Sequence, residues 1–301
     1  MNQLKGLPED ETAKEILTKY VKAGKVASMV RSEAVKKVRI GASLLEVATF
    51  VEQRIVEEGC KPAFPVNISL NSDAAHATPK KDDTSVFGED VVKIDIGTHF
   101  DGYIGDTAVT VDLAGKGDLV KSSKDALESA IKILHAGINT KEIGEVIEEI
   151  ILSYGYKPVS NLTGHGLMQY FAHTPPSIPN VKVEHGVVLE EGDIIAIEPF
   201  ASDGAGKVTD GHLKEIYHLV GEKPIRHPVV RKVFSQIAEY KTLPFAKRWL
   251  TGTRIDFALL QLEKAGIVSG YPVLRDVSGG LVSQAEHTVI ITENGCEVLT
   301  K

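Results

Sequence analysis

The sequence predicts an α+β fold built from two related halves and interrupted once by a helical insertion. Three observations lead there. Helical amphipathic runs are followed by runs that alternate apolar and polar residues with a period of two. The segment 41–62 recurs as 137–158 in one register, matching Gly41 with Gly137, Glu46 with Glu142, Val47 with Ile143, Val51 with Ile147, Ile55 with Ile151 and Gly59 with Gly155. Beyond each copy, Asp90-Val-Val-Lys-Ile-Asp95 returns as Asp193-Ile-Ile-Ala-Ile-Glu198. Such agreement in register marks a duplication: a helix, helix, strand-ribbon unit present twice, its copies related by a pseudo-twofold axis. Residues 1–301 are expected to form one domain, with the insertion at about 222–268.

In the first half, Ile16, Leu17, Tyr20, Val21, Ala27, Val30, Val35 and Val38 recur at helical spacing, so 12–39 reads as one long amphipathic helix. Ser43 followed by Glu46 is a capping-box pattern opening a second helix, which Gly59 stops and Pro62 and Pro65 bar from continuing. Residues 66–70 read as a short strand and 71–79 as a loop carrying His76, a position where a histidine is ordinarily solvated. Residues 91–111 hold two alternating runs around Asp101-Gly102, a hairpin signal. Asp95 sits between Ile94 and Ile96, and Asp106 follows Ile104-Gly105. Two carboxylates therefore lie inside otherwise apolar strands.

In the second half the repeated helix leads to His165, held between Gly164 and Gly166, with His173 eight residues on. Flanking glycines let the backbone approach whatever the imidazole contacts, although a turn histidine capping a strand would look the same. Glu198 stands where Asp95 stands. Residues 213–220 read as a strand. Residues 224–266 have no counterpart and read as helices near 229–240, 244–250 and 254–265, with Val233, Phe234, Ile237 and Tyr240 as a packing stripe. Strands resume over 283–291, headed by Glu286, with Asn294-Gly295 as a type I′ turn before 297–299.

Composition excludes several classes. A hydrophobic share of 43% and a charged share of 25% are those of a soluble globular protein. The net charge of -7 argues against non-specific affinity for nucleic acid or anionic membrane, and so against a DNA-binding role for the basic residues of the insertion. Cys60 and Cys296 fit no ligand spacing, which points to a reducing compartment without disulfides. No run approaches the length of a membrane span, and the N-terminal stretch lacks the apolar core of a signal peptide. A cytoplasmic protein is expected.

The carboxylates need a counter-charge, because removing an ionised carboxylate from water costs several kcal/mol even after relaxation. Lys93 could neutralise one aspartate but hardly both. The duplication brings Asp95, Asp106, Glu198 and Glu286 toward a common axis, with His165 adding a neutral nitrogen. Two divalent cations would cancel the four charges. Oxygen-rich ligands with one imidazole and no thiolate suit hard or borderline ions such as Co, Mn, Fe or Zn. Two ions roughly 3.5 to 4 Å apart lower the pKa of a bridging water toward about 7 and stabilise a tetrahedral oxyanion. Hydrolysis is the expected output.

This constellation resembles that of the pita-bread metallopeptidases. Ala63-Phe-Pro65, Ser69-Leu-Asn71, Ala74-Ala-His76, Asn161-Leu-Thr-Gly-His165, Gly270-Tyr-Pro272 and Gln284-Ala-Glu-His-Thr288 resemble the strings of type 2 methionine aminopeptidases across essentially the whole chain. The helical insertion resembles the one that separates type 2 from type 1, and the short N-terminus resembles the archaeal form. The resemblance implies a pita-bread fold and a metal-dependent aminopeptidase that removes the initiator methionine from nascent proteins and peptides. It implies that Asp95 chelates one divalent ion, that His165 and Glu198 bind a second, and that Asp106 and Glu286 bridge them. Glu198 would also be the acid/base, and the substrate's α-amino group would sit at the Asp95 ion. His173 would hydrogen-bond the scissile carbonyl and His76 the amide nitrogen on the leaving side. Phe64 and Tyr271 would wall the methionine pocket, while a further pocket histidine falls ambiguously within 212–218 and stays unassigned. The implied partners are N-terminal methionyl peptides and nascent chains near the ribosome, with no membrane and no specific nucleic acid. Two alternatives are a prolidase or aminopeptidase P-like X-Pro peptidase, expected to carry a separate N-terminal domain, and a non-catalytic pita-bread protein that binds RNA or ribosomes. The filled ligand positions weigh against the latter.

Overall fold

The structure, a computed structural model, describes residues 12–301. The stretch read as lacking a signal-like apolar core includes residues 1–11, which lie outside the described residues.

The first half opens with α1 (Ala13–Val35), started by a reciprocal cap in which Thr12 Oγ1 accepts from the Glu15 N–H and the Glu15 carboxylate accepts from the Thr12 N–H. It ends at Val35, short of the expected Arg39, in a turn where the Lys37 N–H returns to Ala34 O. In α2 (Leu44–Glu57) the Ser43 hydroxyl accepts from the Glu46 N–H, and Gly59, at a φ of 73°, turns the chain out. Then come β1 (Lys61–Pro62), β2 (Asn67–Leu70) and β3 (Asp73–Ala75). The last falls in the expected loop, because Asp73 and Ala75 pair with a strand from far along the chain. β4 (Val91–Phe100) and β5 (Tyr103–Asp112) form the hairpin. Asp101 and Gly102, at φ 53° and 87°, give its turn the left-handed backbone that Asp-Gly favours.

The second half repeats this plan with α3 (Gly117–Lys132), α4 (Thr140–Ser153), β6 (Lys157–Pro158), β7 (Thr163–Met168), β8 (Phe171–Pro179), β9 (Ile194–Ile197) and β10 (Phe200–Ser202). The bounds of α4 are those of α2 carried across in the duplication register. Both helices follow a left-handed glycine, Gly41 or Gly137, and both capping residues make a bridge to an extended residue, Ser43 to Val86 and Asn139 to Val188. Val47, Val51 and Ile55 of α2 share a core with Val92 and Ile94, just as Ile143, Ile147 and Ile151 of α4 share one with Ile195 and Ile197.

The remainder comprises β11 (Val208–Asp210), β12 (Ile216–Leu219), α5 (Pro228–Ile237), β13 (Phe245–Ala246), α6 (Ile255–Lys264), β14 (Val268–Tyr271), β15 (Leu274–Asp276), β16 (Val282–Gln284), β17 (His287–Thr292) and β18 (Gly295–Val298). Three local expectations are corrected. Residues 244–250 are not a helix: Pro244 lacks the donor, Phe245 and Ala246 pair with Tyr217 and Ile216, and only Lys247–Trp249 make a 3₁₀ turn. Phe245 is stacked on Tyr217 and Tyr240, an aromatic contact that favours the strand. The strand expected over 283–291 breaks at Ala285-Glu286. The turn near the C-terminus is Glu293-Asn294, since Thr292 pairs with Gly295, and neither turn residue has the positive φ of type I′.

β17 pairs with β9 as β5 pairs with β4, and the two ribbons meet edge to edge. The Glu286 N–H donates to Ala108 O at 3.1 Å and the Ala108 N–H returns to Glu286 O at 3.4 Å. On either side, Thr110 Oγ1 donates to Gln284 O at 2.6 Å and the Asp106 N–H donates to Thr288 Oγ1 at 2.8 Å. α1 lies directly on β5 at this seam, so close that a Cβ on Gly105 would stand 2.6 Å from the Gly24 nitrogen.

Candidate metal centre

The seam sets the site. Asp95 on β4 opposes Ala108, and Asp106 on β5 opposes Gly97. His165 is on β7, paired with Ala196 of β9. Glu198 immediately follows β9, and Glu286 occupies the break between β16 and β17, where its backbone bonds to Ala108. Phe64, His76, Asp95, Asp106, His165, His173, Glu198, Tyr271 and Glu286 all line one cavity of about 370 Å³. Every site residue expected from the sequence is gathered there, and none stands apart.

His165 Nε2 lies 3.6 Å from Glu198 Oε1 and 4.0 Å from Asp106 Oδ2. Ligand atoms of Asp106, His165 and Glu286 fall within 4.8 Å of one another. His165 Nδ1 is 3.2 Å from Gly166 O. A carbonyl only accepts, so Nδ1 carries the hydrogen and the Nε2 lone pair faces the carboxylates. Burial pushes the His165 pKa down to about 4, which keeps that lone pair free. The Gln284 amide donates to Asp95 Oδ2 and Glu198 Oε2, both at 3.4 Å, and so links the two carboxylates made equivalent by the duplication.

Burial pushes the Asp95 carboxyl up to about 7. Asp106 is raised well above its ordinary range by burial and by Asp95 and Glu198, Glu198 by burial and Asp95, and Glu286 by burial and all three. Lys93 does not relieve them. It is buried, yet its Nζ donates to Asn71 O at 2.7 Å rather than to Asp95. Among the described residues no lysine or arginine makes an ion pair with any of the four; His165 alone comes that close. Asp95 Oδ1, Asp106 Oδ1 and Glu286 Oε2 are buried without a hydrogen-bond partner. Three buried carboxylates with orphaned oxygens, two of them clustered with an imidazole whose lone pair is free, are a donor set that a divalent cation satisfies.

Around this set stand aromatic and imidazole rings. His76 Nδ1 is 3.2 Å from Pro272 O, and its backbone is left-handed at a φ of 64°, a strained conformation for a non-glycine residue. The ring centroids of His165 and His173 are 4.5 Å apart, and Tyr271 lies 5.1 Å from His76 and 6.3 Å from His173. Phe64 fits against Gly97 so closely that a Cβ there would be 2.2 Å from its ring. Sequence reasoning missed two residues. Of the two histidines in the ambiguous stretch 212–218, His218 on β12 lies 4.6 Å from Tyr271. Gln284 carried a faint signal, standing two places before Glu286.

The model of metallopeptidase family M24 matches residues 18–293. The chain belongs to metallopeptidase family M24. This M24 chain is 52% identical over 289 residues to a methionine aminopeptidase of Archaeoglobus fulgidus, a match covering 95% of this chain and 99% of that protein. It is also 52% identical over 287 residues to a methionine aminopeptidase of Methanocaldococcus jannaschii, covering 94% and 98%. The crystal structure of a methionine aminopeptidase from Thermotoga maritima matches with a TM-score of 0.71 at 27% identity, covering 98% of this chain and 100% of that one. The two-halved α+β architecture is thus the pita-bread fold of M24 enzymes, as the resemblance implied, and the buried Asp/His/Glu cluster fits divalent-metal binding.

Proposed function

We propose that this M24 peptidase is a methionine aminopeptidase of the archaeal type 2 form, removing the initiator methionine from peptides and nascent chains in the cytoplasm, close to the ribosome. The observation that carries the reading is the cluster of Asp106 and Glu286, each with an orphaned carboxylate oxygen, with His165, whose Nε2 lone pair is free. Two cations of the Co, Mn, Fe or Zn kind would be held, one by Asp95, one by His165 and Glu198, with Asp106 and Glu286 shared between them. When bound, they supply the Lewis acidity that makes water a nucleophile near neutral pH.

The remaining chemistry belongs to side chains. Glu198, whose pKa is raised by burial and by Asp95, can take a proton from water and return it to the leaving amine. His76 Nδ1 faces the Pro272 carbonyl and so carries the hydrogen; Nε2 is left to accept from the N–H of the second substrate residue. His173, held neutral by burial, donates its N–H to the scissile carbonyl as charge develops there. Phe64 and Tyr271 enclose the methionine side chain, and the α-amino group lies by Asp95, which restricts cleavage to the first bond. Among the described residues no helix is long and apolar enough to cross a membrane.

The test is turnover after chelation and after restoring Mn²⁺ or Co²⁺, on a Met-Gly peptide beside an X-Pro peptide. Metal-dependent release of methionine is expected. Cleavage of the X-Pro peptide alone would make the chain a prolidase, and no metal-dependent cleavage of either would leave a binding module. Asp106→Ala is expected to abolish turnover while the apoprotein stays folded; a variant that still turns over refutes the bridging role.

A further inference from the structure

We infer that Arg31 is a positioning residue for the metal centre: one guanidinium on α1 fastens the residues that follow Asp106 and Glu286, and so fixes the separation of two carboxylates that come from opposite halves. The inference rests on the metal-centre reading above and goes beyond the ligands themselves.

The contacts form one connected set. Arg31 Nη1 donates to Thr107 Oγ1 and also lies 3.3 Å from His287 Nδ1. Thr107 Oγ1 in turn donates to Glu286 O at 2.9 Å. Arginine has only donors, so His287 Nδ1 must accept. The Thr300 hydroxyl, which accepts from the Thr288 N–H at 3.1 Å, stands 2.8 Å from the same Nδ1, so that Arg31 and Thr300 share its one lone pair.

Neighbouring side chains on an extended strand point to opposite faces. Thr107 and His287 turn toward α1, while Asp106 and Glu286, one residue earlier in each case, turn into the cavity. The helix cannot drift away from this seam, because Gly24 touches Gly105, and Arg31 lies about two turns further along the same helix face. The positive charge also stands near Glu286 from outside the cavity, where it takes no ligand position. A side chain that merely anchored α1 could bond to any exposed carbonyl; this one bonds to the residues next to both shared carboxylates.

The test uses the full-length apoprotein, titrated with Mn²⁺ by calorimetry, as wild type, Arg31→Met and Thr107→Val. Thr107→Val keeps the side-chain shape and removes only the hydroxyl between Arg31 and Glu286, so the outcome does not hang on how well Arg31→Met folds. Both variants are expected to bind Mn²⁺ about 10- to 100-fold more weakly than wild type. At saturating Mn²⁺ we expect kcat on a Met-Gly peptide to fall with KM unchanged. Wild-type Mn²⁺ affinity in both variants, whether or not their melting temperatures fall, makes Arg31 a structural anchor and overturns the inference alone. Wild-type protein that takes up no Mn²⁺ brings down the metal-centre reading and the inference with it.

Discussion

Asp106 and Asp276 are both buried aspartates, and their surroundings send them in opposite directions. Asp276 would be raised by burial, but Ser278, the Ala205 N–H and Ser202 all donate to it and hold its pKa at about 2, below the ordinary 3.8. A carboxyl lowered in the folded state stabilises above the unfolded pKa, and the contribution is lost as pH falls from 3.8 toward 2. It is worth about 2 kcal/mol at neutral pH. Asp276→Asn should lower stability to urea by that amount at pH 7, and the deficit should shrink in the same experiment below pH 3.8. Asp106 has no such donors around Oδ1 and sits among other carboxylates. Asp106→Asn should therefore leave the apoprotein as stable as wild type or up to about 2 kcal/mol more stable, while abolishing the rise in melting temperature on adding Mn²⁺. A fall in apoprotein stability would show that Asp106 is paired by something else. The four carboxylates were legible from sequence as candidates because a charge inside an apolar strand is a local anomaly, and His165 because glycines bracket it. Arg31, Gln284 and His218 were not, since each sits where a polar residue is unremarkable and only the tertiary partner gives it a role.

The hairpin of β4 and β5 shows how an element carries a pocket. Asp95 and Gly97 lie on one face of β4, and the missing side chain of Gly97 is the space that Phe64 fills. Gly97→Ala is expected to push the Phe64 ring toward the cavity, raising KM for methionyl peptides several-fold with Mn²⁺ affinity unchanged; calorimetry beside steady-state kinetics separates the two effects. Hairpin, duplicated helices and the first cap were readable because the signals are local: Asp-Gly for the turn, Ser43 for the start of α2, and a glycine, Gly59 or Gly155, for the end of each copy. Residues 244–250 and the break at Glu286 were not. Phe245 is extended because Tyr217 and Tyr240 offer it ring faces, and Glu286 leaves the strand because Ala108 takes both its backbone groups. Tyr217 and Ala108 lie too far along the chain for any window of sequence to contain them.

At the scale of the molecule, the α5–α6 segment has its own apolar core and is tied to α2 by a buried ion pair. Arg248 Nη2 meets Glu52 Oε1, with side chains 6% and 14% exposed, while Trp249 Nε1 donates to Glu52 Oε2 at 2.8 Å. Removing one partner strands a buried charge at a cost of about 3 kcal/mol or more, whereas replacing both by apolar groups is often neutral. Arg248→Met should destabilise by that amount in urea, and adding Glu52→Leu should recover most of it; equal losses in single and double variants would show that the pair matters little. This is also where Ile216, Pro244 and Tyr271 join the cavity wall, so the position of the segment bears on the pocket.

The joint at Ala108 and Glu286 has one more consequence. Asp95 and Asp106 come from one side of it, His165, Glu198 and Glu286 from the other, so neither portion of the polypeptide owns a complete set of donors. Cations held there would add a further tie to the backbone bonds that already join the two portions, and chelation is expected to loosen the molecule along that line before it melts the cores on either flank.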